Sequence, residues 1–310
     1  MRALVSGVSG FVGPVLVDHL IASGDEVVGV DQGDGPDLLD GPGWRELVSA
    51  VRPEAVYHLA GWSDVGASWD DPVTTFRVNA EGTLHVLEAV RAAGAGRVLV
   101  ISSADVYGTC DEADLPLGEE HRVDPRSPYG ASKVAAEALA RQAWVGWGVE
   151  AVIARPFNHI GPGQSTRFVA PALAARIAEA EAAGGGTVTH GDLSPRRDLT
   201  DVRDVVRAYR LLVRHGRPGE VYNVCSDRDL SVGEVLDHLV SLATAPVEVR
   251  LDSALLRPAD LPVLRGSYNR LWQCTGWRPQ IDIRQTLADI LDHARARHTE
   301  DRTRPHERTP

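Results

Sequence analysis

The chain runs to 310 residues, 43% of them apolar, with a formal net charge of −11. That size and composition fit one large α/β unit or two domains, and exclude a disordered chain, a membrane span of about 18 apolar residues and the basic patch of a nucleic-acid binder. Cys110, Cys225 and Cys274 are too few and too widely spaced for a disulfide framework or a zinc site, so no metal is expected. No signal-peptide pattern precedes the first strand at Met1 to Val5, and a reducing cytoplasm is the expected compartment.

Arg2 to Val8 reads as a short apolar strand, followed by Gly7-Val8-Ser9-Gly10-Phe11-Val12-Gly13 and a helical run from Pro14 to Ser23. Glycines that follow a strand and open a helix form a phosphate cradle. Gly7 permits the tight turn, Gly10 lets a pyrophosphate approach the backbone, and Gly13 lets the helix pack on the strand. The second strand, Glu26 to Val30, ends at Asp31. A carboxylate about 20 residues past the glycines is where a dinucleotide fold reads a ribose hydroxyl. Gln32 and Gly33 follow, with no arginine to meet a 2′-phosphate, so NAD(H) is favoured and NADP(H) remains possible. A third strand, Ala55 to Leu59, leads to Ala60-Gly61, where small residues allow close backbone approach. A helix over about Asp71 to Ala93 carries Asn79, and a fourth strand spans Arg97 to Ser102.

The next segment carries the chemistry. Ser103-Ala104-Asp105 ends the fourth strand, and a helix beginning near Ser127-Pro128-Tyr129-Gly130-Ala131-Ser132-Lys133 runs to about Trp147. Tyr129 and Lys133, four residues apart, share one helix face. An ammonium beside a phenol favours the phenolate, so the spacing predicts a lowered Tyr129 pKa and a proton carrier, with Ser103 offering a hydroxyl to the same reacting oxygen. The fifth strand, Glu150 to Arg155, ends in Pro156-Phe157-Asn158-His159-Ile160-Gly161-Pro162-Gly163. His159 reads either as a ligand contact or as a buried, hydrogen-bonded histidine. Strands alternating with helices imply a parallel sheet with right-handed crossovers. Further on, helices are predicted over Phe168 to Ala183 and Asp201 to His215, and strands near Thr187 to His190 and Tyr222 to Ser226.

Gly7-x-x-Gly10-x-x-Gly13, Asp31, Ser103, Tyr129-x-x-x-Lys133 and Arg155-Pro156-Phe157-Asn158 resemble the extended short-chain dehydrogenases/reductases that act on nucleotide sugars. Arg197-Asp198-Leu199-Thr200-Asp201, Tyr222-Asn223-Val224 and Thr275-Gly276-Trp277 extend the resemblance to about His298. It implies a Rossmann-type doubly wound α/β fold, with residues 1–165 as the dinucleotide-binding domain and 166–298 as mainly the nucleotide-sugar domain, the chain being free to cross back to the sheet. Residues 299–310 are expected to form a mobile tail. The resemblance also places Phe11, Val12, Asp37, Leu38, Leu59, Ala60, Gly61, Asn79, Ser102, Tyr129, Lys133 and Pro156 beside the cofactor. Asn158, Phe168, Val169, Arg197 and Arg257 fall beside the nucleotide diphosphate sugar, and Arg196, Arg203 and Arg207 read as surface charges. A helical homodimer, built from the helices after Asp71 and Tyr129, is expected too.

Within that family the Arg155 to Gln164 segment is most similar to GDP-mannose dehydratases and GDP-4-keto-6-deoxy-mannose reductases. Ala104 and Asp105 tilt it to the reductases. The family's dehydratases carry a glutamate where this chain has Asp105, and a misplacement of about 1 Å costs on the order of a hundredfold in rate. Ala104 can neither donate nor accept a proton. The implied activity is hydride transfer at C4, giving GDP-D-rhamnose, with Ser103, Tyr129, Lys133 and Asp105 as catalytic residues. A nucleotide-sugar 4-epimerase using the same residues is the alternative, and a 4,6-dehydratase is disfavoured.

Overall fold

A computed structural model describes residues 1–256 and 262–303. Its strands are β1 (Arg2–Ser6), β2 (Glu26–Val30), β3 (Ala55–His58), β4 (Arg97–Ile101), β5 (Ala151–Pro156), β6 (Asn158–Ile160), β7 (Gly186–His190), β8 (Arg196–Asp201), β9 (Val221–Val224), β10 (Asp229–Ser231), β11 (Val247–Leu251) and β12 (Val263–Leu264). Its α-helices are α1 (Val12–Ala22), α2 (Gly41–Val51), α3 (Pro72–Phe76), α4 (Gly82–Ala93), α5 (Pro128–Trp147), α6 (Val169–Ala182), α7 (Val202–His215), α8 (Val232–Ser241), α9 (Asn269–Thr275) and α10 (Ile283–Thr303).

The main sheet is parallel, in the order β2-β1-β3-β4-β5-β9. Its strands are apolar on both faces because helices cover both. On one side α1 and α7 bury Leu16, Leu20, Val205 and Leu212 against Val5 and Tyr57. On the other, α2, α4 and α5 bury Trp44, Val90 and Ala140 against Leu4 and Val98. The order reverses between β1 and β3, which opens a crevice at the strands' carboxyl ends. Although α7 and β9 follow residue 165, they belong to this sheet: the chain leaves through α6 and β7, then crosses back. The second lobe combines β6, β8, β10 and β12 with a separate β7–β11 pair, over a core of Leu173, Ile177, Leu236 and Leu291.

Strands β6, β8, β10, β11 and β12 and helices α8 and α9 have no counterpart in the sequence reading, and three other elements depart from it. The helix expected over Asp71 to Ala93 is interrupted by a π turn at Arg77–Glu81 that holds Asn79; such turns insert a residue into the helix and re-aim side chains. Helix α2 has no counterpart in that reading, because Gly41, Pro42 and Gly43 disguise its start; the Asp40 side chain caps it by accepting from the Gly43 N–H. Helix α10 runs to Thr303, so the tail expected from residue 299 begins as helix, there being no glycine or proline to stop it before Pro305. The rest of that tail lies outside the described residues.

One buried ion pair fixes the site-bearing elements to each other. Arg155 on β5 makes a bidentate bridge to Glu137 on α5, at 2.6 and 2.7 Å, and both side chains are almost fully enclosed. Ser102, just past β4, donates to the same carboxylate at 2.6 Å. Glu137→Ala leaves a buried guanidinium without its counter-charge, and should lower the unfolding free energy by about 3–5 kcal/mol in denaturant titrations.

Candidate active site

The site is assembled on α5 and on the turn that follows β4. Ser127 caps α5 by accepting from the Gly130 N–H, and Pro128 occupies its first turn. The inner face of the helix then carries Tyr129 and Lys133, each about 8% exposed. Ser103 caps the short turn Ala104–Val106; its hydroxyl donates to the Asp105 carboxylate at 2.6 Å, and the Asp105 N–H donates back at 3.2 Å. All four chemistry-bearing residues, Ser103, Asp105, Tyr129 and Lys133, line one cleft of about 1590 Å³.

Electrostatics correct one expectation. The Tyr129 phenol is held above its ordinary pKa, not below it: burial is the main cause, the Asp105 carboxylate adds to it, and the Ser103 hydroxyl opposes. Lys133 does not sit at the phenol oxygen. Its ammonium donates to the Ile101 carbonyl at 3.0 Å and lies 5.7 Å from the Tyr129 ring centroid. Burial lowers the Lys133 pKa to about 8. Tyr129 is therefore a stored proton, set up to act as an acid.

The cofactor side of the cleft is built by the glycine loop. Gly7 has φ +79°, and a Cβ there would meet the Ala60 backbone nitrogen at 2.8 Å; a Cβ on Gly13 would strike the Gly7 and Val8 carbonyls. These two positions require glycine, and they hold Gly10, Phe11 and Val12 in the cleft wall opposite Leu59, Ala60 and Gly61. Asp31 ends β2 at the rim. The Ser9 N–H (2.7 Å) and hydroxyl both donate to Asp31 Oδ2, and the Gln32 N–H donates to Oδ1 at 2.7 Å. Burial pushes this carboxyl up, but those donors outweigh it and hold the pKa below the usual range. A glycine cradle at a helix N-terminus with a fixed carboxylate beyond it fits the pyrophosphate and ribose of a dinucleotide. Asp37, Leu38 and Pro156 line the same space.

Two residues expected beside the cofactor use their side chains within the protein, Ser102 while lining the cleft. Asn79, 2% exposed, lies behind the cleft wall: its amide donates to the Trp62 carbonyl (3.1 Å) and Ser132 Oγ (2.9 Å), and its oxygen accepts from the Trp62 N–H (2.8 Å). Ser132 in turn donates to the Tyr129 carbonyl at 2.7 Å, so Asn79 ties the loop after β3 to α5. The Ser102 hydroxyl points at Glu137. Asn79 sits within the π turn, and Ser102 faces the buried Glu137 carboxylate; neither placement is visible in local spacing.

On the far wall, Asn158, Phe168, Val169 and Arg197 line the cleft, with Phe168 and Val169 about half exposed. Arg197 donates to the Arg196 carbonyl at 2.9 Å. Arg257 lies outside the described residues. Arg196, Arg203 and Arg207 are not loose surface charges: they pair with Asp229, Asp201 and Asp204. The structure adds Ser9, Trp62, Arg126 and Arg167 to the cleft. Arg167 faces Asp64 at 3.5 Å across the mouth. Nothing in the local sequence marks these residues; only the tertiary fold brings them in.

A parallel α/β sheet with a glycine cradle, a carboxylate fixed beyond it and a buried Tyr/Lys pair is the arrangement of a dinucleotide-dependent enzyme. Residues 3–225 match the NAD dependent epimerase/dehydratase family, and the chain belongs to it. It is 42% identical to the GDP-6-deoxy-D-mannose reductase of Pseudomonas aeruginosa, over 94% of this chain and 96% of the relative. Among solved structures it is similar to RMD from Pseudomonas aeruginosa complexed with NADPH (TM-score 0.88, 40% identity, 96% of this chain and 99% of that one). It is also similar to the UDP-glucose 4-epimerase of Thermus thermophilus in complex with NAD (TM-score 0.84, 30% identity, 95% and 99%).

Lys133 is charged below its pKa of about 8 and neutral above it. The kcat/KM of reduction, which reports groups of the free enzyme, should therefore fall as pH rises through about 8. A pH–rate profile checks this, and a flat profile through that range would contradict the assignment.

Proposed function

We propose that this protein reduces the C4 ketone of GDP-4-keto-6-deoxy-D-mannose to GDP-D-rhamnose in the cytoplasm, with NADH as its preferred reductant. One observation carries the choice of reaction. Beside the near-full-length likeness to a reductase, the turn after Ser103 is poorly equipped for dehydration: Ala104 is apolar and 2% exposed, and Asp105 is one methylene shorter than the glutamate the resemblance gives to the dehydratases.

The bound cofactor supplies a hydride to C4. Tyr129, kept protonated by burial, donates its phenolic proton to the alkoxide oxygen that develops there. The Ser103 hydroxyl, turning from Asp105, hydrogen-bonds the same oxygen. The Lys133 charge stabilises the phenolate left behind and holds the nicotinamide ribose. Asn158 and Arg197 take the diphosphate, with Phe168 and Val169 against the nucleotide. Tyr129→Phe should lower turnover by roughly two to four orders of magnitude. Near-normal turnover would remove Tyr129 from the reaction.

The preference for NADH rests on Asp31. Its charged, doubly held carboxylate accepts from ribose hydroxyls and repels a 2′-phosphate, with Asp34 and Asp37 adding like charge nearby. Steady-state assays should favour NADH over NADPH by at least about tenfold in kcat/KM; the reverse order would overturn the reading. Tightly retained NAD and interconversion of UDP-sugars without net oxidation would instead favour the 4-epimerase.

A homodimer completes the proposal. Helix α3 lies against α5, and this surface exposes Trp69 (63%), Val73 (67%), Phe76 (50%) and Val145 (84%). Trp144, 38% exposed, stands against Gly219, whereas Trp147 packs into the core beneath Arg91, 4.9 Å away. Light scattering should give twice the 33.4 kDa chain mass, and Val145→Glu should shift it to the monomer.

A further inference from the structure

Tyr209 brings to the cleft a hydroxyl that the fold does not use. It lies on the sheet-facing side of α7, packed with Val5, Leu16, Leu99 and Ala154, and is only 1% exposed. Other buried tyrosines spend their hydroxyls within the protein: Tyr107 donates to Asn223 at 2.7 Å, and Tyr222 accepts from the Arg217 N–H at 3.0 Å. No described residue hydrogen-bonds the Tyr209 hydroxyl. Nor is it sealed in the core, as the Tyr57 hydroxyl is; Tyr209 lines the cleft. A polar group so enclosed, open only toward a cavity, calls for a partner inside that cavity.

Its position selects the partner. Val202, at the start of α7, stands by the glycine loop: a Cβ on Gly161 would meet Val202 Cγ1 at 2.6 Å and the Phe11 ring at 3.6 Å. Helical side chains lean toward the N-terminus of their helix, so Tyr209 leans toward that loop. Val12, Leu59 and Ile101 pack on the same apolar cluster and reach the same cleft. They mark the first turn of α1, the residue after β3 and the end of β4. The Tyr209 hydroxyl opens among them, beside the helix N-terminus that suits a pyrophosphate. Burial, with nearby Tyr129 adding to it, holds this phenol above its ordinary pKa, so it keeps its proton. A protonated phenol donates, and a diphosphate oxygen accepts.

We propose that Tyr209 is a cofactor-binding residue, whose hydroxyl donates to a diphosphate oxygen of the dinucleotide from the floor of the cleft. It adds a side-chain donor to the backbone N–H groups of the glycine loop. This rests on the binding of a nicotinamide dinucleotide and not on the identity of the sugar nucleotide.

The test is calorimetric and needs no sugar. NADH, ADP and adenosine are titrated into wild type and Tyr209→Phe; the first two share the diphosphate, and adenosine has none. Loss of a hydrogen bond to a charged oxygen should weaken both NADH and ADP about 10-fold in the variant, with adenosine unchanged. The unliganded variant should melt no lower than wild type, because no bond within the fold is lost. A lower melting temperature would reveal a structural role and overturn the assignment. So would equal NADH affinity in the two proteins, a loss confined to NADH, or a loss shared by adenosine. Wild type that bound no dinucleotide would overturn it together with the cofactor reading. A wrong sugar nucleotide changes none of these titrations, so the two readings fail separately.

Discussion

The buried bridge between Arg155 and Glu137 is the constraint on which the site depends. Removing two charges from water is costly, and apolar residues of the same volume would often stabilise a core better. What the pair supplies is register. Tyr129, Lys133 and Glu137 recur every fourth residue along one face of α5, so clamping Glu137 to β5 and to Ser102 at the end of β4 sets the rotation of the whole face. The network continues from Arg155 to the Tyr107 hydroxyl (3.0 Å), then to Asn223 on β9 (2.7 Å), whose N–H donates to Glu119 (2.8 Å). The end of β4 with its following turn, the Glu119 loop, α5, β5 and β9 thereby hold Ser103 and Tyr129 within one cleft.

A second carboxylate does similar work for the other lobe. Asp198 is fully buried on β8 and accepts from the Ser226 N–H and hydroxyl (2.7 Å each), the Asp227 N–H (3.0 Å) and the Gly266 N–H (3.3 Å). Burial pushes it up, to about 7, against those donors. Because Ser226 and Asp227 follow β9 of the main sheet while Gly266 follows β12, this one side chain sutures the second lobe, with Arg197 beside it, to the main sheet. The two lobes are thus joined by directed hydrogen bonds as well as by apolar packing, which limits how far the cleft can yaw.

What could be read from the sequence was whatever depends on short spacing: the glycine loop, the carboxylate closing β2, the Tyr/Lys turn and the alternating strands. Features set by distant neighbours were not legible. Spacing put Lys133 one turn from Tyr129, yet the direction of the phenol's shift depends on enclosure and on Asp105, neither of which spacing reveals. The resemblance puts Asn79 beside the cofactor; that it sits in a π turn and bonds to Trp62 and Ser132 is not legible in spacing. Ser9 is unremarkable as a letter in a loop, and becomes the clamp on Asp31 only once β1 and β2 are paired.

Helix α5 has two faces with different tasks. The inner one carries Tyr129, Lys133 and Glu137; the outer one, with its neighbour α3, leaves Val145, Phe76 and Val73 in water. If two copies cover those residues, each protomer's catalytic helix is braced by the other. The precision of proton transfer then becomes a property of concentration: a dilute, dissociated chain would keep every catalytic residue and still work less well.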